Sequence, residues 1–228
     1  MHKWQRYRIF GGMLKPSFFQ WVGSCFWPVV IKSGRVNLGH DLEIVVYHGK
    51  VMLDTRRVNY SFGKLHEVMM KLIQRLHSKS YSFDQVLMLG YGGGSAAQII
   101  HAKFQNDSQI VGVESDATIY DWAQRYFYSK GVKILLEDAF DSARRAVENE
   151  WDYDLVIVDL FIDDRNPVWP EDFWENLKCM MNSSGVAINN TMCDEQAFKE
   201  RGKQLQHYGF IAQPWNEIKE NRVWVVKK

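Results

Sequence analysis

The feature that most narrows what this chain can fold into is a change of rhythm near residue 86. From there to residue 190, short apolar runs suited to buried strands (86–90, 110–114, 132–136, 155–159 and 186–190) alternate with stretches whose apolar residues recur at helical spacing. Ile119, Trp122, Ala123, Tyr126 and Phe127 form one such stripe, and Phe173, Trp174, Leu177, Met180 and Met181 another; both read as core-facing. Strands alternating with amphipathic helices imply an α/β fold, a doubly wound parallel sheet covered on both faces. The end of the chain breaks the rhythm: residues 210–215 and 222–226 are strand-like but only six residues apart. So short a link cannot carry a parallel crossover, so an antiparallel C-terminal hairpin is expected.

The first third follows a different pattern. Residues 28–31, 42–47 and 51–53 read as strands, the last two joined by His48-Gly49-Lys50, where glycine permits a tight reversal. Leu65, Val68, Met69, Leu72 and Leu76 then fall on one helical face. The expected division is a small N-terminal β-strand region over 1–63, a linking helix over 64–80 and a sheet domain over 81–228. The apolar stretch 18–31, preceded by Lys3, Arg6, Arg8 and Lys15, superficially resembles a secretion signal. It is interrupted by Gln20, Gly23 and Pro28, no small-residue cleavage pattern follows, and it falls short of the ~18 apolar residues that span a bilayer. It is expected to form a strand or to be covered by a partner, with no membrane association.

Charge and cysteine content exclude other classes. Lys and Arg number 28 against 27 Asp and Glu, a net charge of +1, so the basic excess of a nucleic-acid binder is missing. The three cysteines, Cys25, Cys179 and Cys193, are odd in number and scattered, which argues against a disulfide framework and for a reducing, cytoplasmic setting. No H-x-x-x-H pair occurs among the seven histidines, so no metal is expected.

The chemistry-bearing residues lie where strands end. Gly90, Tyr91, Gly92, Gly93 and Gly94 form a glycine-rich turn between the strand at 86–90 and a helix opening at Ser95, the arrangement that lets a ligand approach free helix N–H groups. Glu114, followed by Ser115, ends the next strand, where a carboxylate can accept from both ribose hydroxyls of an adenosine. Asp138 and Ala139 follow the third strand, with Asp138 suited to an adenine amino group or to a helix N-cap, and Phe140 to covering the adenine ring. Asp159 ends the fourth, and Asp163 and Asp164 follow in a loop suited to ligand contact, to solvation or to capping.

These blocks resemble the polyamine aminopropyltransferases, the spermidine synthases, and more broadly the class I S-adenosylmethionine-dependent methyltransferases. The resemblance runs through Tyr47-His48-Gly49-Lys50-Val51-Met52-Leu53-Asp54, Leu65-His66-Glu67-Val68-Met69, residues 86–95, Val113-Glu114-Ser115-Asp116, Leu136-Glu137-Asp138-Ala139-Phe140 and Val156-Ile157-Val158-Asp159. It implies a Rossmann-like sheet of about seven strands binding S-adenosylmethionine or its decarboxylated form, a small N-terminal β domain that helps form a homodimer, and a small-molecule substrate between the two.

Three departures bear on the reaction. Gly93 stands where aminopropyltransferases carry the aspartate that reads the donor's amine. Their gate motif is one residue longer here, as Asp159-Leu160-Phe161-Ile162-Asp163, and lacks its proline, and Leu65 replaces a tyrosine. Asp159 is expected to orient donor and acceptor, Asp163 or Asp164 to hold or deprotonate the nucleophile, and His66 to reach the acceptor or to lie idle on the surface. The expected activity is methyl transfer to a small acceptor, with aminopropyl transfer as the alternative. A non-catalytic adenosyl-binding scaffold and a nicotinamide oxidoreductase are lesser alternatives.

Overall fold

The computed structural model describes residues 16–37, 39–55, 64–104, 107–127, 131–160, 169–191, 195–215 and 222–228. The five expected strands form β4 (Gln85–Leu89), β5 (Gln109–Glu114), β6 (Val132–Leu136), β7 (Tyr153–Val158) and β8 (Met181–Thr191), all parallel, in the spatial order β6-β5-β4-β7-β8. β9 (Ile211–Trp215) and β10 (Arg222–Lys227) pair antiparallel, as the short link demands. β10 also lies antiparallel against β8, so the last strand of the chain sits inside the seven-stranded sheet and β9 forms its edge.

Both faces of the sheet are covered. Val86, Met88, Ile110, Leu155, Ile157 and Ile188 pack against α2 (Lys64–Ser78) and α3 (Ser95–Lys103) through Val68, Met69, Leu72, Leu76, Ala97 and Ile100. Leu87, Leu89, Val156, Val158 and Ala187 pack on the other face against α5 (Ala139–Glu148), α6 (Glu171–Met180) and α7 (Glu195–His207). Residues 155–158 are buried throughout, which is why the central strand reads as a continuous apolar run rather than an alternating one. Trp169, Trp174 and Trp224 fill the α6–α7 side, with the Arg201 guanidinium 4.1 Å from the Trp169 ring centre.

The N-terminal strands β1 (Val29–Arg35), β2 (Asp41–Tyr47) and β3 (Lys50–Thr55) form a separate antiparallel sheet, reversed at His48 and Gly49. It is seated on α4 (Ala117–Tyr126), whose apolar stripe serves two cores. Ala123 meets the large sheet, whereas Ile119 and Trp122, with the following Phe127, close a third core against Val36, Leu42, Ile44 and Leu53. Gly34 admits the Trp122 ring, since a Cβ there would lie 2.7 Å from it.

The strand alternative for 18–31 holds only at its end. The stretch 18–31 is extended only from Val29; Phe18–Gly23 form a helix, α1. A local capping box explains it. Ser17 Oγ accepts from the Gln20 N–H at 3.3 Å, and Gln20 Oε1 accepts from the Ser17 N–H at 2.8 Å, which outweighs the strand preference of the aromatic residues. Cys25 and Cys179 are free and exposed, and Cys193 lies outside the described residues. No helix among the described residues is long and apolar enough to cross a membrane, and no cluster there is arranged to hold a metal ion.

Candidate functional site

The carboxyl ends of β4, β5, β6 and β7 lie along one edge of the large sheet. The chain winds outward from β4 through β5 to β6, then crosses back to β7, which makes the β4–β7 boundary the switch point where open α/β sheets take ligands. Gly90 and Asp159 flank that boundary. Gly90 has φ 86°, and a Cβ on it would fall 2.2 Å from the Asp159 carbonyl oxygen, so the two strand ends can close up only around glycine.

The glycine turn is held from below. The Gly90 and Tyr91 N–H groups donate to the Val113 carbonyl at 3.1 and 2.9 Å, and the Tyr91 ring is packed inward in the α2–α3 core. Tyr91 thus offers a ligand its backbone rather than its ring. Gly94, with φ 67°, leaves room for the Tyr91 hydroxyl, which a Cβ would approach to 2.3 Å. Gly94 is also the N-cap of α3 and supplies no side-chain acceptor, so that helix's first-turn amides are left for another partner. His66 of α2 reaches this point, its Nδ1 lying 2.6 Å from Ser95 Oγ, so it is docked beside the turn rather than idle on the surface.

Glu114 is the buried charge of the site. Its Oε2 accepts from the Gly92 N–H and its Oε1 from the Asp116 N–H, both at 3.0 Å. The Ser115 N–H also bears on the carboxylate, and since a carboxylate has about four acceptor positions, capacity for a hydroxyl donor is left. Burial pushes the Glu114 pKa up, the N–H groups of Asp116, Gly92 and Ser115 pull against that, and the nearby Asp116 charge adds to the rise. Ser115 beside it is exposed.

Asp138 caps α5, its Oδ1 accepting from Phe140 N–H at 2.8 Å and Asp141 N–H at 3.2 Å. The capping alternative is therefore realised, and Oδ2 takes no part in it. Ala139 is buried in the α5–α6 core, and the Phe140 ring meets Trp169 and Phe173 edge-on at 5.9 and 5.2 Å.

Asp159 is fixed by its N–H, which donates to the Leu89 carbonyl at 2.9 Å, and by Asn190 Nδ2, which donates to its Oδ1 at 2.7 Å. Packing around the carboxyl drives its pKa up, and the Asn190 bond offsets part of the rise. Asp163 and Asp164 lie outside the described residues.

Sequence reasoning missed Asn190, Asn189 and both roles of Asp116. Asn189 is wholly buried, and neither its Nδ2 nor its Oδ1 has a partner among the described residues. The signal was present: a polar pair closing the apolar run Val186-Ala187-Ile188 at a sheet's carboxyl edge. Asp116 caps α4 through Oδ1, accepting from Thr118 and Ile119 at 2.8 and 3.1 Å, while its Oδ2 accepts at 2.5 Å from the N–H of Asn37, between β1 and β2. An aspartate just before the helical stripe at 119–127 was the signal for the cap, and nothing local signals the bond to Asn37.

No protein-family model matches the sequence, and no curated protein matches it. Solved structures do resemble the fold. A human methyltransferase-like protein 13, solved in complex with SAH, is 21% identical, with 73% of this chain and 82% of that one aligned at a TM-score of 0.61. The spermidine synthase of Thermotoga maritima is 16% identical, with 87% of this chain and 72% of that one aligned at 0.65. A spermidine synthase in complex with the transition state analogue AdoDATO aligns equally well, at 16% identity, 87% and 71% coverage and 0.65. The chain thus shares its fold with these spermidine synthases and with the methyltransferase-like protein.

Proposed function

We propose that this chain is a transferase that binds an S-adenosylmethionine-type donor along the carboxyl edge of β4 to β7 and passes its methyl group to a small acceptor. The observation that carries the proposal is Glu114: a buried carboxylate at the end of β5, tied to the Gly92 N–H of the glycine turn. A nucleoside's ribose hydroxyl is the donor that its remaining acceptor position accommodates. The turn at 90–94 and the uncapped amides of α3 would hold the donor's polar tail, and Asp138 Oδ2 with Ser115 and Ala139 would border its base. That one neighbour was solved with SAH and another with AdoDATO supports the same donor class.

The donor supplies a carbon already activated on a sulfonium, which leaves the protein alignment and proton handling. Asp159 suits the second task. Its raised pKa makes it a stronger base than an ordinary aspartate, and Asn190 fixes its orientation. His66 stands ready at the start of α3, and Asp163 and Asp164 would follow Asp159 in chain order as acceptor ligands.

Methyl transfer is favoured over aminopropyl transfer because Gly93, buried and without a side chain, replaces the carboxylate that would read an amine-ended donor. Aminopropyl transfer is the second reading. It is supported by the spermidine synthases aligning with 87% of the chain against 73% for the methyltransferase-like protein. Calorimetric titration with S-adenosylmethionine, its decarboxylated form, methylthioadenosine and NADH tests the pocket. Binding of NADH alone would overturn the adenosyl-sulfonium reading. Product mass after incubation with each donor and putrescine separates the two transfers, and an aminopropylated product would reverse their order.

A further inference from the structure

We propose that Asn190 is a positioning residue for the transfer: from the neighbouring strand it occupies one oxygen of Asp159, so that the acceptor's proton is taken on the other, Oδ2. The inference rests on the transferase reading above. Asn190 is 3% exposed, and its Nδ2 donates to Asp159 Oδ1 at 2.7 Å. Both side chains stand on fixed backbone. Asn190 pairs with Val223 of β10, the preceding Asn189 pairs with Val158 of β7, and the Asp159 N–H is held by the Leu89 carbonyl. An amide carried inside a sheet holds its partner more closely than one on a loop. Among the described residues, no other side chain bonds to the Asp159 carboxyl and no charged group bears on it. The amide is therefore the described side chain that opposes burial in deciding how firmly this carboxyl keeps a proton.

The other end of the amide shows that it does more than fill space. Asn190 Oδ1 is buried and has no partner among the described residues. Val186 and Ile188, on the same face of β8, and Val223 beside Asn190 are all apolar. A valine at 190 would continue that face without leaving a carbonyl unsatisfied. What valine could not supply is the Nδ2 bond to Asp159. Charge fixes which way the amide points, because turned over it would set Oδ1 against an ionised carboxylate, acceptor against acceptor. In the transfer, Asp159 Oδ2 takes the nucleophile's proton while the nucleophile's electron pair forms the bond to the methyl carbon and the C–S pair returns to sulfur. The Asn190 N–H stays on Oδ1 before and after.

The test is a carbon-13 NMR titration of the Asp159 carboxyl in the ligand-free full-length protein, the signal being assigned by its loss in Asp159→Asn. The wild type is compared with Asn190→Val and Asn190→Asp, and each is titrated calorimetrically with S-adenosylmethionine. In Asn190→Val, Asp159 is expected to become about a tenfold weaker acid. That variant should melt no lower than the wild type at mildly acidic pH and should keep its S-adenosylmethionine binding. Asn190→Asp should bring two carboxyls together, which then titrate as a coupled pair over a wider pH span. An Asp159 titration unmoved by Asn190→Val, or a melting temperature well below the wild type's, would overturn the proposal. Should Asn190→Val fail to fold, Asn190→Asp decides alone, and the lack of a coupled pair counts against it. Failure of the wild type to bind S-adenosylmethionine would overturn the transferase reading and this inference with it, whereas binding with an unmoved titration would overturn this inference alone.

Discussion

At the scale of single residues, the site is defined by two carboxyls that the fold holds against their ordinary ionisation. Glu114 and Asp159 both titrate above their usual values of 4.5 and 3.8, chiefly because burial disfavours their charge. The stability they contribute is complete below the ordinary carboxylate range and is lost as pH rises through their raised values. The ligand-free protein is therefore expected to melt at a higher temperature at mildly acidic pH than at neutral pH, by about 2–4 °C for each kcal/mol involved. Glu114→Gln and Asp159→Asn should each flatten that slope in a calorimetric pH series.

If Asp159 takes up a proton in turnover, activity rises with pH through its raised pKa. The acid limb of the rate profile should then lie above the usual aspartate range, and Asp159→Asn should remove the limb together with about 10²-fold or more of the rate. Asn189 provides a contrasting case. Replacing a buried amide that has no partner among the described residues by leucine should stabilise the fold by about 1–2 kcal/mol in denaturant titration. The carboxylates 114, 138 and 159 and the glycine turn were visible in sequence because each closes a strand, and strand ends are readable from apolar runs. The Asn190–Asp159 bond was not, because its partners are 31 residues apart and meet only once β8 lies beside β7.

At the scale of elements, local chemistry decides more than composition. The capping box at Ser17 and Gln20 turns an aromatic stretch into α1, and Asp116 and Asp138 start α4 and α5 at the same sheet edge. The apolar stripe of α4 was legible as buried, but its division between two cores was not, since periodicity reports which residues hide and not what covers them. Gly94→Ala places a side chain at φ 67° and against the Tyr91 hydroxyl, and should cost about 1–3 kcal/mol. Its donor affinity by calorimetry should fall as well, because the turn and the first amides of α3 shift together.

At the scale of the whole molecule, the alternation of strands and helices dictated a covered parallel sheet, and the six-residue link dictated the antiparallel hairpin. The placement of β10 inside β9 lay beyond pattern, because strand order is settled by long-range pairing. The seating of the small sheet likewise rests on contacts between distant segments. Gly34→Val would drive a side chain into the Trp122 ring and should destabilise the protein by about 1–3 kcal/mol. Faster amide exchange confined to β1–β3 would distinguish loss of that seating from global unfolding.

The Asp116 carboxyl gives the molecule a relay three links long. The Gly92 amide holds Glu114, Glu114 holds the Asp116 amide, and Asp116 in turn holds the amide of Asn37. Any guest that draws Glu114 toward itself tugs a cord whose far end is tied to the small sheet. Filling the pocket should then slow deuterium uptake at Asn37, and cutting the cord with Asp116→Ala should leave the two ends deaf to each other.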